Sequence, residues 1–326
     1  LTDGDADAYN PFSQRLYQLT VVNPFVSHFF RARLRYLLMG LRKPRTDMRI
    51  DAHQHFWHYN PAEHVWMTEE MAQLKRDFLP TELQPLLQAA GFDGCIAVQA
   101  RQNLEETRWL LELADKHEFI KGVVGWVDLC SPRLPEQLER FVPHPKLVGV
   151  RHVVHDEADD EFMLRPEFQR GIALLKKFNL KYDLLLFPKH LSVALTLARQ
   201  FPEQPFVVDH IAKPGIAQGL LCPWSEDLRQ LAQLPNVFCK LSGMVTEAKW
   251  KQWQPEDFHR YMDVCVEAFT PGRLMIGSDW PVCTLSGTYA STMQIVMDYA
   301  RQFSADEQSG VLGGNCARFY GISTLG

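Results

Sequence analysis

The chain has 326 residues with a formal charge of -5, and 46% of them are apolar and 22% charged. That length buries a sizeable core, and the composition is that of an ordinary globular protein rather than a disordered chain. An acidic balance excludes the basic face a nucleic-acid partner requires, and no apolar run is long enough to span a bilayer.

Residues 1–47 differ from the rest of the chain: Val21 to Phe30 is apolar with aromatics, and Arg31 to Arg45 is basic. A signal peptide does not fit, because the charges come after the apolar stretch. Two readings stand, an upstream or appended extension and an amphipathic helix for a membrane surface or dimer contact. Met48-Arg49-Ile50 resembles a natural start and favours the extension. Residues 48–326 read as a single domain.

From Met48 onward, short runs of Val, Ile and Leu ending in polar residues alternate with longer charged stretches of helical spacing. The expected strands are 48–55, 94–100, 120–128, 147–154, 180–187, 206–211, 236–242 and 273–279. Expected helices include 103–117 and 165–178. In the first, Leu104, Trp109, Leu110, Leu113 and Ala114 make one apolar stripe, and Glu105, Glu106, Glu112 and Asp115 lie on the other face. Pro80-Thr81-Glu82 and Ser304 to Glu307 read as helix starts, the latter with capping-box spacing. Eight strands alternating with helices imply parallel strands and right-handed crossovers, so a distorted (β/α)8 (TIM) barrel leads. An open doubly wound sheet is second, because no Gly-x-Gly-x-x-Gly follows the first strand. The seven cysteines are scattered without a Cys-x-x-Cys pair, which predicts a reduced, cytoplasmic protein; Cys95, Cys239 and Cys265 sit in apolar runs and read as core.

The carboxyl ends of barrel strands carry the active site. There the chain places Asp51-Ala52-His53-Gln54-His55, then Asp209-His210 and finally Ser278-Asp279. Side chains two apart on a strand point the same way, so His53 and His55 converge as two imidazoles binding one divalent cation would. Closure sets the eighth strand beside the first, which brings Asp279 to them and leaves His210 as the third imidazole. This set suits zinc or a similar ion, with Asp279 to take the proton of a bound water; a metal-free Asp–His cluster activating water directly is the alternative. Arg151 and His152 end the fourth strand. Arg151 reads as a clamp for a carboxylate or lactone oxygen. Lys240 lies inside an otherwise apolar strand, either as the partner of Asp279 or Asp183 or as a substrate contact. Lys213 overhangs the site from its loop, and Trp57, Trp126 and Trp280 are candidate walls for a sugar-like ring.

These motifs carry a resemblance. Asp-Ala-His-Gln-His at 51–55, Val-Gln-Ala at 98–100, Gly-Val-Arg at 149–151, Asp-His-Ile-Ala-Lys-Pro at 209–214, Lys-Leu-Ser-Gly at 240–243 and Gly-Ser-Asp-Trp-Pro at 277–281 occur in that order. Together they resemble the amidohydrolase superfamily, in its sugar-acid lactonase branch of fuconolactonase- and rhamnonolactonase-like proteins. The resemblance covers residues 48–322. It implies hydrolysis of a sugar-acid lactone, metal-site roles for His53, His55 and His210, and Asp279 as general base. Arg151 and Lys240 become substrate or oxyanion contacts, with Trp57, His152, Lys213 and Trp280 around the substrate. One departure stands out: the fifth strand, Tyr182 to Phe187, has no histidine, and His190 lies beyond its end. That disfavours a two-metal site and leaves one zinc-like ion or metal-independent action. The rival readings are a hydrolase or decarboxylase for an aromatic dicarboxylate, and a non-catalytic binding barrel. Expected partners are a small-molecule lactone and a second copy in a homo-oligomer, with no nucleic acid or membrane.

Overall fold

Strands and helices alternate through residues 48–323, the part of the chain that the computed structural model describes. The expectations for residues 1–47 lie outside it. The strands are β1 (Ile50–Gln54), β2 (Gly94–Val98), β3 (Ile120–Gly125), β4 (Leu147–His152), β5 (Lys181–Leu184), β6 (Phe206–Val208), β7 (Val237–Leu241) and β8 (Leu274–Ile276). They form one parallel sheet in the order β1 to β8. One main helix follows each strand: α1 (Pro80–Ala89), α2 (Leu104–Lys116), α3 (Leu134–Phe141), α4 (Pro166–Leu175), α5 (Leu191–Gln200), α6 (Trp224–Ala232), α7 (His259–Phe269) and α8 (Tyr289–Ala300). Two short helices, α9 (Ala305–Ser309) and α10 (Asn315–Tyr320), end the described chain. The expected (β/α)8 barrel is the one the chain builds, and each expected strand contains an observed one.

Closure is slight. Beyond β8, a single bridge pairs Gln54 with Trp280, and its hydrogen bonds run from Asp279 N to His53 O (2.8 Å) and from His55 N to Trp280 O (2.7 Å).

The strands alternate between two cores, because successive side chains leave opposite faces of a strand. Ile50, Ala52, Ile96, Val98, Val124, Val148, Val207 and Met275 fill the barrel interior, joined from below by Phe319 and Tyr320 of α10. Outward residues such as Tyr182, Phe206, Cys239 and Leu241 pack under the helices. Toward the carboxyl ends the interior turns polar. Asp183 follows Tyr182, Asp209 follows Val208, and Lys240 follows Cys239, each at an inward position. On β1 the pairing register shifts between Asp51 and Gln54, and beyond that irregularity His53 and His55 take over the interior from Ala52.

The helix signals hold with one correction. Asn103 caps α2 by accepting from Glu106 N (2.7 Å), and Ser304 forms its capping box with Glu307. Glu106 itself is fully buried rather than on the solvent face. Its carboxylate accepts from the backbone N–H of Ala100 (3.0 Å) and Arg101 (2.7 Å), groups at the end of β2 that would otherwise be unpaired.

Candidate active site

The mouth of the barrel opens into a cavity of about 500 Å³ lined by His55, Arg151, His210 and Asp279 at its floor. Trp57, Trp66, Phe187 and Trp250 stand among its walls, as do Arg101, Lys213 and Glu247.

At the floor, one oxygen of Asp279 is the common point. Its Oδ1 lies 3.4 Å from His55 Nε2, 3.8 Å from His210 Nε2 and 3.9 Å from His53 Nε2. An outer partner sets the tautomer of His55. His55 Nδ1 donates to Val98 O (2.8 Å), which leaves a lone pair on its Nε2. His53 Nδ1 faces the Asp209 carboxylate (3.3 Å), and Arg151 Nη1 donates to His53 Nε2 (3.3 Å). His55 Nε2 thus points its lone pair at His53 Nε2, 3.2 Å away, with a carboxylate oxygen beside both. Ring nitrogens and a carboxylate oxygen converging in this way are the donor set a divalent cation takes. His53, His55 and Asp279 fit one metal ion, and His53, Asp209 and His210 form a second candidate group sharing His53.

Burial holds the His53 and His210 imidazoles well below their ordinary pKa, so both are neutral ligands or acceptors near pH 7. Burial alone would push the Asp279 carboxyl up, but its interactions with His210 and His55 outweigh that and hold the group below the ordinary carboxylate value. Asp279 is therefore an ionised proton acceptor.

Below the floor lies a buried charge network. Lys240 Nζ sits 2.5 Å from Asp183 Oδ2, 3.0 Å from Asp209 Oδ1 and 3.2 Å from His53 Nδ1. Tyr320 donates to Asp183 from α10 (2.8 Å), and Arg151 Nη1 reaches Asp209 Oδ2 (3.2 Å). Desolvation opposes the Lys240 charge, yet Asp183 and Asp209 raise its pKa above the ordinary lysine value. Lys240 is fully buried and does not line the cavity. Its partner is Asp183, not Asp279.

Local backbone fixes these side chains. His210, Ile211, Ala212 and Lys213 all have φ between 48° and 59°, a left-handed run that non-glycine residues rarely adopt. Gly243 (φ +64°) is what lets the β7 loop pass: a Cβ there would lie 2.5 Å from His210 Nδ1. Gly277 similarly admits His53, whose Cβ would be 2.8 Å from an added methyl.

The Amidohydrolase family model matches residues 50–322. The chain belongs to the amidohydrolase family. It is 41% identical over 286 residues to the L-fucono-1,5-lactonase of Burkholderia multivorans, covering 84% of this chain and 96% of that protein. Identity to the L-fucono-1,5-lactonase of Burkholderia ambifaria is 37% over 281 residues, with 84% and 96% covered. A crystal structure of a Burkholderia multivorans amidohydrolase with bound zinc superposes with a TM-score of 0.82 at 41% identity, over 85% of this chain and 100% of that one.

Within this amidohydrolase the expected residues divide. The structure brings His53, His55, Arg151, His210 and Asp279 together, and it places Trp57 and Lys213 on the cavity wall. His152 is not brought there. As the neighbour of inward Arg151 it faces outward, stacked on Phe162 and bonded to Glu157 (2.7 Å) and the Trp126 indole. Trp280 is buried against Phe56 and Phe78, behind the wall. Sequence reasoning missed Asp209, the carboxylate that orients both His53 and Arg151. Its signal was a charged residue at an inward strand end, as for Asp183. It also missed Glu63, His155 and Glu247, which reach the cavity from a loop and from single helical turns.

Proposed function

We propose that this amidohydrolase opens the lactone of a sugar acid to the free hydroxy acid, with a six-membered deoxy-sugar lactone of the L-fucono-1,5 type as substrate. The carrying observation is the single ionised carboxylate, Asp279, focused on three imidazoles at the floor of a cavity large enough for one sugar ring. The kinship to L-fucono-1,5-lactonases supports the substrate class.

His53, His55 and Asp279 would hold one divalent ion, zinc by analogy with the related amidohydrolase. When bound, that ion supplies Lewis acidity and eases ionisation of water. Asp279 orients the attacking water and takes its proton as the oxygen adds to the lactone carbonyl. Arg151 offers the developing oxyanion a fixed cationic donor at the cavity floor, already aligned by Asp209 and Gln99. The carbon–ring-oxygen bond then breaks, and Asp279 returns its proton to that oxygen, giving a hydroxyl and a carboxylic acid, which ionises and releases the water's second proton to solvent. In this scheme Asp209 and Lys240 are positioning groups, since neither lines the cavity.

The dicarboxylate reading is disfavoured by charge pairing. Arg101 is already matched by Glu63 and Glu106, Arg151 by Asp209, and Lys213 by Glu247, so the cavity suits a neutral polyhydroxylated ring. Free, scattered cysteines support a cytoplasmic setting, and among the described residues no helix is long and apolar enough to cross a membrane.

The test is proton release from a panel of aldonolactones with wild type and Asp279→Asn. Turnover of L-fucono-1,5-lactone should fall by about 10²–10⁴-fold in the variant, the usual worth of a general base. Near-wild-type turnover would refute the mechanism.

A further inference from the structure

The charged groups on the cavity wall are not equally committed. Arg101 is tied to Glu63 and to Glu106, and Arg151 is held by Asp209 and by both oxygens that Gln99 presents. Glu247 and Lys213 are different. Their ion pair is 3.5 Å long, wider than a good hydrogen bond, and both side chains are about one-fifth exposed, at 23% and 21%. Apart from Lys213, no group among the described residues donates a hydrogen bond to the Glu247 carboxylate. Beyond this pair, Lys213 Nζ makes no hydrogen bond among the described residues; the face of Phe187 lies 5.8 Å away, and its charge also acts on Asp156 and Asp279. Both groups line the cavity, so their unused hydrogen-bonding capacity is available to whatever occupies it.

Their mounting is rigid. Glu247 ends the helical turn Met244–Glu247, which starts at Gly243, the residue packed on the His210 ring. Lys213 closes the left-handed run that begins at His210. The pair thus extends from the same two loops that fix the catalytic imidazole. It also faces the reaction: Asp279 lines the same cavity as Glu247 and Lys213.

A carboxylate accepts hydrogen bonds and an ammonium donates them, whereas a sugar hydroxyl does both. Two adjacent ring hydroxyls therefore complement a gapped carboxylate–ammonium pair, each bond being charge-assisted. Apolar wall residues such as Trp66, Met71, Val282 and Leu285 offer no such complement.

We propose that Glu247, with Lys213 as its partner, is the subsite that reads the ring hydroxyls and so makes a sugar-acid lactone preferred over a bare lactone of the same ring size. This rests on the lactonase reading of the site.

The experiment compares kcat/KM for L-fucono-1,5-lactone with that for δ-valerolactone, the unsubstituted six-membered lactone, in wild type, Glu247→Gln and Glu247→Ala, using the full chain. Spontaneous hydrolysis is subtracted, and thermal unfolding checks that each variant folds. The ratio of the two kcat/KM values should fall about 10–100-fold in both variants, the discrimination that one or two charge-assisted hydrogen bonds provide. A ratio within twofold of wild type in a folded variant overturns the subsite while leaving the lactonase reading intact. A wild type that does not prefer the sugar lactone overturns both.

Discussion

Lys240→Met tests whether the buried ammonium serves the fold or the substrate. In the wild type its Nζ is fully buried, 2.5 Å from Asp183 and 3.0 Å from Asp209. Removing one partner of such a pair strands a carboxylate in low dielectric, at a cost of about 3–5 kcal/mol. Here the lower end applies, because Asp183 keeps the Tyr320 hydroxyl and Asp209 keeps Arg151 and His53. A loss of about 3 kcal/mol corresponds to a fall in Tm of roughly 4–5 °C for a chain of this size. Urea unfolding at pH 7 reads the loss directly. Adding Asp183→Asn to Lys240→Met removes the stranded charge, so the double variant should lose less than the sum of the two single losses, by about 0.5–3 kcal/mol. The reasoning fails if Lys240→Met unfolds within about 1 kcal/mol of wild type, well under the cost of a stranded charge, while KM for the sugar lactone rises. That result would put the ammonium on the substrate.

Two further outcomes follow from the site and its surroundings. Burial raises the Glu106 carboxyl from 4.5 to about 7, so between those values the folded chain keeps a proton that the unfolded chain has released. The stability it contributes is complete below pH 4.5 and lost as pH rises to about 7, at about 1.4 kcal/mol per unit. Measured against Glu106→Gln, wild type should lose roughly 3 kcal/mol across that window by urea unfolding, and a pH-independent difference would contradict the assignment. For the metal, zinc added to chelator-treated protein at about 100 times its Kd should stabilise by about 2.7 kcal/mol, or roughly 4–5 °C in Tm. His55→Gln should abolish that rise; an undiminished rise would place the ion elsewhere.

The barrel was legible because its strands announce themselves: Leu147-Val148-Gly149-Val150 and Phe206-Val207-Val208 are too short and too β-branched for helices, and each ends in polar residues. His53, His210 and Asp279 were legible because barrel topology alone brings their strand ends together. Other features needed the register. Arg151 and His152 are equally polar in sequence, and only strand alternation decides that the first enters the cavity and the second leaves it. Lys240 stood between two readings because its partners, Asp183 and Asp209, lie on two other strands far away in sequence, and no local pattern links them. Glu106 was misplaced because helical periodicity treats a glutamate as solvent-facing, whereas here a tertiary demand, two unpaired N–H groups at the end of β2, draws it inward. Glu63, His155 and Glu247 lie in loops or single helical turns too short to show a period, so sequence carries no signal for where they point.

The slight closure between β1 and β8 has a consequence for when activity can exist. The backbone groups that join the barrel's two ends belong to His53, His55, Asp279 and Trp280, so three residues of the proposed site are themselves part of the clasp. A ribosome-bound or truncated chain lacking the eighth strand has neither a closed barrel nor Asp279, the proposed base. Partial folding therefore yields no partial hydrolase, and any event that pries the first and last strands apart switches the chemistry off before the other strands come undone.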